Sequence, residues 1–195
     1  MARIILIPGN GVYDVNMAMW YPSIVNALAS ATDPNTGQQL FPGGGVLRNF
    51  PDPLYAHEHI WHKFMKEEIK IGEEDVVVGH SSGAASIMRF IETNKVGGVV
   101  LVSAYHTDLG DETERESGYF SRPWNWDAMA KNTRWITQYS SKDDPLVPIE
   151  EQRHVASKIP GVEYIEFEDR GHFSQIKVFP ELITKIIQKV SSSTN

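Results

Sequence analysis

The chain of 195 residues is 41% hydrophobic and 22% charged, and it carries a formal net charge of −7. These values are ordinary for a globular protein, so we expect a single domain over residues 1–195 with a frayed tail at residues 191–195. The excess of acidic residues disfavours binding to nucleic acid or to an anionic membrane surface. A small-molecule partner, neutral or cationic, is expected instead.

The chain contains no cysteine, which excludes a disulfide, a thiolate nucleophile and a cysteine-bound zinc ion. Its first apolar run, of only about five residues, is far shorter than the roughly 20 residues of a membrane helix. We therefore expect a cytoplasmic enzyme, with the nucleus left open.

Apolar runs rich in β-branched residues alternate with longer amphipathic stretches, which predicts βαβ units and a parallel sheet covered by helices on both faces. The predicted strands span residues 3–7, 46–50, 75–78, 98–103, 135–139 and 162–167. The predicted helices span residues 19–29, 54–69, 82–93, 124–131, 150–158 and 179–190. Glycine and proline mark the turns between them, which are loops of one domain rather than linkers.

The third predicted strand runs into Gly79-His80-Ser81-Ser82-Gly83 and then into small helix-forming residues. Gly-x-Ser-x-Gly at a strand-to-helix turn is the pattern of a nucleophile elbow, in which the serine hydroxyl projects above the sheet. The pattern predicts Ser81 as nucleophile and the amide of Ser82, at the helix start, as an oxyanion donor. Taken alone it is weak, because a serine between glycines also occurs in ordinary tight turns.

A nucleophile elbow requires an acid and then a histidine downstream, each after a later strand. Asp143 and Asp144 follow the fifth predicted strand. Asp144, which directly precedes Pro145, is the predicted acid that orients the histidine. Asp143 is the alternative, and it would otherwise cap the turn.

His172 follows the sixth predicted strand and a glycine, and it completes the chain order serine, acid, histidine. It is therefore the predicted general base. Five of the six other histidines lie on predicted helices or inside the elbow, and we expect them to be surface or structural residues: His57, His59, His62, His154 and His80.

The turn after the first predicted strand reads Pro8-Gly9-Asn10-Gly11, and the amide of Asn10 is the predicted second oxyanion donor. These glycines could instead open a dinucleotide-binding Gly-x-Gly-x-x-Gly fingerprint, but Asp14 stands where the third glycine is needed. No Gly-Lys-Ser/Thr follows either. The sequence thus predicts no cofactor and no metal, and a three-layer α/β-hydrolase fold with about six parallel strands and a minimal cap.

Motifs spread over nearly the whole chain carry a resemblance to a known family. They are Ile7-Pro8-Gly9-Asn10-Gly11, Gly79-His80-Ser81-Ser82-Gly83, Leu101-Val102-Ser103-Ala104-Tyr105, Asp108-Leu109-Gly110-Asp111-Glu112, Ser117-Gly118-Tyr119-Phe120 and Arg122-Pro123-Trp124. Together they resemble the retinoblastoma-binding protein nine group of serine hydrolases. The resemblance implies a compact hydrolase fold with its triad on Ser81, Asp144 and His172.

The chain departs from that family in two places. The family's Leu-x-Cys-x-Glu motif has no counterpart, since the matching segment reads Glu68-Ile69-Lys70-Ile71-Gly72-Glu73-Glu74. Binding to the retinoblastoma protein is therefore not predicted. An insertion around residues 33–45 lies in a predicted loop and is expected to leave the catalytic end unchanged.

The segment after the fourth predicted strand is long enough to cover the nucleophile as a small cap, and it combines acidic with aromatic residues. Substrate contacts are predicted for Asp108, Tyr119, Phe120, Trp124 and Trp126. They favour an aminopeptidase-like hydrolase of small esters or amides that carry a free amine and an apolar side chain, unless the acidic run is only a solvated loop. The alternatives are a carboxylesterase for short acyl esters and a protein-binding module on a hydrolase scaffold.

Overall fold

The computed structural model describes residues 1–192, which are built around a central sheet of six parallel strands. The strands are β1 (Ile4–Ile7), β2 (Gly45–Leu47), β3 (Val76–His80), β4 (Gly98–Val102), β5 (Ile136–Ser141) and β6 (Glu163–Phe167). Their spatial order is β2-β1-β3-β4-β5-β6.

Helices make the connections that parallel strands require. They are α1 (Tyr21–Ala29), α2 (Glu58–Lys63), α3 (Ser82–Ile91), α4 (Glu112–Ser117), α5 (Trp126–Lys131), α6 (Ile149–Lys158) and α7 (Pro180–Ser192). A 3₁₀ turn (Val15–Met17) precedes α1, and a π-helix (Phe64–Ile69) continues α2. No helix among residues 1–192 combines the length and the apolar character needed to cross a membrane.

Both faces of the sheet are buried, because successive side chains of a strand point to opposite faces. Ile5 and Ile7 of β1 belong to one buried cluster with side chains of α2, α3, α5 and α6. Ile4 and Leu6 belong to a second cluster with side chains of α1 and α7. The sheet is therefore the middle of three layers, as the sequence predicted.

The predicted helix over residues 54–69 starts later than expected and changes its hydrogen bonding. Asp52 and Ala56 have left-handed φ angles of 50° and 53°. The Asp52 carboxylate accepts from the amide and the ring of His57, at 2.9 and 2.7 Å, so residues 52–57 form a turn. The helix therefore begins at Glu58.

Two further differences concern α4 and the end of the chain. Residues 112–117 were not predicted as a helix, yet α4 forms there because the Asp111 carboxylate caps it, accepting from the Glu114 amide at 3.1 Å. Helix α7 continues through Ser192, two residues into the predicted tail. The rest of that tail, residues 193–195, lies outside the described residues.

Strand order reverses between β1 and β3, and in such sheets the crevice for ligands forms at the carboxyl ends of the strands beside the reversal. Two glycines let the chain close up there. A Cβ atom on Gly83, in the first turn of α3, would collide with the carbonyl oxygens of Ile7 and Pro8. A Cβ atom on Gly9 would lie 3.3 Å from the Cβ of Ser81.

Replacing Gly83 with alanine is expected to lower the free energy of unfolding by about 1–3 kcal/mol, because backbone oxygens cannot move aside without shifting β1. Urea unfolding followed by circular dichroism measures this change. Gly72→Ala is the matched control, since its added Cβ would meet only Asp75 Oδ2 at 3.9 Å. Equal stability of the two variants would contradict the close contact.

Candidate active site

Ser81 occupies the turn between β3 and α3 with a strained backbone, at φ 56° and ψ −122°. A positive φ is uncommon for a residue other than glycine and occurs where the surrounding structure imposes it. The Ser81 amide donates to the carbonyl of Val102 at 2.9 Å, and its own carbonyl accepts from the amide of Ala84 at 2.8 Å. Ser81 is half-buried, and this geometry is that of the predicted elbow.

The loop after β1 leaves one amide available beside Ser81. The amide of Gly9 donates to the hydroxyl of Tyr21 at 3.1 Å, and that of Gly11 donates to the carbonyl of Pro53 at 2.6 Å. Between them, the amide of Asn10 makes no hydrogen bond to any of residues 1–192, and neither does the amide of Ser82. The two predicted oxyanion donors are thus unpaired backbone groups, one on each side of the β1–β3 reversal.

Asp144 and His172 form a buried pair at the ends of β5 and β6. The Nδ1 atom of His172 lies 3.0 and 2.9 Å from the two carboxylate oxygens of Asp144. Oδ1 of Asp144 also accepts from the amides of Leu146 and Val147, and Oδ2 accepts from the hydroxyl of Ser103 at 2.8 Å. The carboxylate is therefore fixed in place, and Nδ1 of the imidazole is directed at it.

Opposing effects act on the pKa of Asp144. Burial alone would raise it, but the hydrogen bond and the charge of His172 and the amides of Val147 and Leu146 hold the pKa below its usual value. Asp144 is therefore ionised at neutral pH, which suits a group that orients a histidine and stabilises its cationic form.

Asp143 is exposed, and it binds the loop that carries His172 but not the His172 ring. Its Oδ1 atom accepts from the hydroxyl of Ser141 and from the amide of Gly171, each at 2.7 Å. Of the two aspartates, only Asp144 contacts the His172 ring.

Ser81 lines a cavity of about 440 Å³ at this end of the sheet. Its lining combines apolar and acidic side chains: Asn10, Gly11, Leu54, Ser81, Tyr105, Leu109, Asp111, Thr113, Glu114, Pro145, Leu146 and Val147. No group of three or more histidine, aspartate or glutamate side chains within the described part of the chain is arranged to hold a metal ion.

Comparison of the chain with known proteins shows its family. A family model described as serine hydrolase matches residues 47–184. Serine hydrolase RBBP9 of Rattus norvegicus is 43% identical over 182 residues, which are 93% of this chain and 91% of the rat protein. The chain belongs to the serine hydrolase family. It is of the RBBP9 type, as the motif resemblance predicted.

More distant relatives share the fold of this serine hydrolase. The putative hydrolase YdeN of Bacillus subtilis (strain 168) is 25% identical over 141 residues, covering 70% of this chain and 73% of that protein. The crystal structure of the ydeN gene product from B. subtilis matches with a TM-score of 0.80 at 20% identity, over 98% of this chain and 100% of that chain. Mouse alpha/beta hydrolase domain-containing protein 10 matches with a TM-score of 0.63 at 14% identity, over 98% and 89%. The α/β-hydrolase fold predicted from the sequence is confirmed.

The five predicted substrate contacts do not line the cavity at Ser81. Tyr119 is completely buried, and Phe120 stacks on Tyr105 with ring centroids 5.2 Å apart. Trp124 lies under the Arg89 guanidinium, which is 3.6 Å from its ring centroid. These aromatic side chains pack the cap segment onto the serine hydrolase core and do not line the cavity at Ser81.

The other two predicted contacts are also engaged elsewhere. Trp126 stacks on Trp124 with centroids 5.6 Å apart. Asp108 pairs with Nε of Arg115 at 2.9 Å. The acidic lining of the cavity comes instead from Asp111 and Glu114, two members of the same acidic run that were not named as contacts. The signal that could have found them is the helix-capping pattern Asp111-x-x-Glu114.

His80, the variable residue of the elbow, connects the loops of the site. Its Nε2 atom lies 2.8 Å from the carbonyl oxygen of His172, which can only accept, so Nε2 carries the proton. Its Nδ1 atom then accepts from the Tyr21 hydroxyl at 2.7 Å, and that hydroxyl accepts from the Gly9 amide. One imidazole thus joins the turns after β1, β3 and β6. Burial, reinforced by the charge of His172, lowers the pKa of His80 to about 3.

His80 is expected to stay neutral and protonated at Nε2 down to about pH 3. An unfolded histidine binds a proton below about pH 6.5, so the free energy of unfolding falls as pH drops from there to about 3, by up to about 1.4 kcal/mol per pH unit. ¹⁵N NMR at pH 5 tests the tautomer. Urea unfolding against pH tests the slope, which should be smaller in His80→Gln. An imidazolium signal for His80 at pH 5 would refute the assignment.

Proposed function

We propose that this serine hydrolase cleaves small esters or amides through an acyl-enzyme on Ser81, with His172 as general base and Asp144 as the acid that orients it. The observation that carries the proposal is the buried Asp144–His172 pair, with 2.9 Å between Oδ2 and Nδ1. Because the N–H group at Nδ1 donates a hydrogen bond to the Asp144 carboxylate, Nε2 keeps the lone pair that a general base needs.

In the proposed reaction, Nε2 of His172 takes the hydroxyl proton of Ser81 while Oγ bonds to the substrate carbonyl carbon. The carbonyl electron pair moves onto oxygen, where the amides of Asn10 and Ser82 donate to the developing oxyanion. Collapse of this intermediate expels the alcohol or amine, which receives the proton from His172. In the second half, His172 takes a proton from water while the water oxygen bonds to the acyl carbon. Ser81 then leaves with the proton from His172, and the carboxylic acid is released.

A fluorophosphonate probe is expected to modify the wild type by one equivalent and to leave Ser81→Ala unmodified, as measured by intact mass. Asp144→Asn is expected to slow this labelling by a factor on the order of 10⁴, because the histidine loses the partner that sets its tautomer. Asp143→Asn is the matched control and should label at close to the wild-type rate, since its side-chain oxygen can still accept from Ser141 and Gly171.

The reverse ranking of the two aspartate variants would show that Asp143 is the acid. An unlabelled wild type would instead favour a protein-binding role on a hydrolase scaffold, since an idle serine has no activated base beside it.

The cavity lining supports a substrate with a free amine and an apolar group, hence an aminopeptidase-like specificity. Asp111 and Glu114 are carboxylates at the cavity, and both belong to the predicted acidic run. Leu54 and Leu146 are 49% and 62% exposed and form an apolar rim. The cationic amine of such a substrate would pair with the Asp111 carboxylate, and its apolar side chain would pack on Leu54 and Leu146.

An aminoacyl ester with a free amine is expected to react faster than its N-acetylated form. Asp111→Asn should reduce this preference by about two- to fivefold, the size of one exposed charge pair, while asparagine still caps α4. The measurement is kcat/KM for both esters. Asp127→Asn, on α5 beside a different surface pocket, is the matched control. Equal rates for the two esters in the wild type would leave a carboxylesterase for short acyl esters as the better reading.

A further inference from the structure

Glu114 is a buried carboxylate that the proposed reaction does not use. It lies on α4, is only 8% exposed, and lines the cavity at Ser81. Its Oε1 atom accepts from Nδ2 of Asn10 at 3.1 Å and from Oγ of Ser82 at 3.2 Å. Its Oε2 atom accepts from the hydroxyl of Tyr105 at 2.7 Å. One side chain therefore gathers donors from the β1 loop, the start of α3 and the loop after β4.

Two of those donors belong to the residues whose amides are the proposed oxyanion hole. Asn10 stands between Gly9 and Gly11, so the loop has little conformational preference of its own. The amides of Gly9 and Gly11 are tied to Tyr21 and Pro53, whereas Asn10 itself bonds within residues 1–192 only through its side chain, to Glu114. Ser82, in contrast, is held mainly by the helix that it starts.

The environment of Glu114 is unfavourable for a charge. Burial raises its pKa, although the hydrogen bonds from Tyr105, Ser82 and Asn10 act in the opposite direction. Burial and the neighbouring Glu114 charge also raise the pKa of Tyr105 well above its usual value, so its hydroxyl remains a donor. A buried carboxylate costs stability relative to a neutral side chain, so a purely structural role is a poor explanation for glutamate at this position.

We infer that Glu114 is a positioning residue that fixes the Asn10 amide opposite the Ser82 amide by binding the side chains of both residues. This inference rests on the proposed function, because the two amides matter only if an oxyanion forms between them. Glu114 would act through Asn10 and would not contact the reacting atoms. Its effect should therefore appear in the chemical step and not in substrate binding.

Glu114→Met, which removes both acceptor oxygens, and Asn10→Ala are expected each to lower kcat by about 10- to 100-fold with KM changed less than about threefold, since a displaced oxyanion donor costs less than a deleted one. The double variant should resemble the slower single variant, because both substitutions break the same interaction. Steady-state kinetics on an aminoacyl ester measures these effects. Glu114→Gln should stay close to the wild-type kcat, because its amide oxygen can still accept from Asn10 and Ser82.

Glu112→Met is the matched control, because Glu112 lies on the same helix but is exposed and pairs with Arg115 at 2.7 Å. It should keep wild-type kcat and KM. If Glu114→Met fails to fold, Asn10→Ala at its half-buried loop position carries the kcat test alone.

Unchanged kcat in Asn10→Ala or in folded Glu114→Met would overturn the inference, as would losses that multiply in the double variant. A rise in KM alone would assign Glu114 to substrate binding instead. These outcomes differ from failure of the proposed function. In that case the fluorophosphonate would not label the wild type, or it would label Ser81→Ala equally well.

Discussion

The close contact between the start of α3 and the end of β1 is the constraint on which the rest of the active site depends. Gly83 has room for no side chain because the carbonyl groups of Ile7 and Pro8 lie against it. The contact brings the β1 loop, with the unpaired amide of Asn10, beside the elbow, with the unpaired amide of Ser82. It also holds Ser81 at a positive φ, a strain on the order of 1–3 kcal/mol. Burial of every residue of α3 offsets that strain.

Different interactions hold the sheet faces and the loops at the catalytic end of the sheet. The faces of the sheet are held by apolar packing, whereas the loops at the catalytic end are joined by buried polar side chains. His80 connects the turns that carry Asn10, Ser81 and His172. Asp144 accepts from Ser103, which follows β4, from its own loop and from α6. A buried polar group without its partner is costly, so such a network favours one arrangement of the loops.

The sheet and the elbow could be predicted because the signals that encode them are local. Runs of β-branched residues mark buried strands, and the order of Ser81, Asp144 and His172 follows from where those strands end. The late start of α2 could not be predicted in the same way, since it depends on the Asp52 carboxylate binding the amide and ring of His57. The prediction of aromatic substrate contacts in the cap was wrong for another reason. An aromatic side chain that packs a cap and one that faces a ligand look the same in sequence, and only the fold shows that Tyr119 is buried.

The acidic run shows why composition alone assigned the wrong residue to the cavity. Once Asp111 caps α4, the phase of the helix separates the charges into two sets. Glu112 and Arg115 lie three residues apart on the solvent face, where they pair with each other, and Asp108 joins them. Asp111 and Glu114, offset by one residue from that pair, face the cavity. A shift of one residue in the cap would turn Glu114 out to solvent, so the chemistry of this run is decided by the residue at which the helix begins.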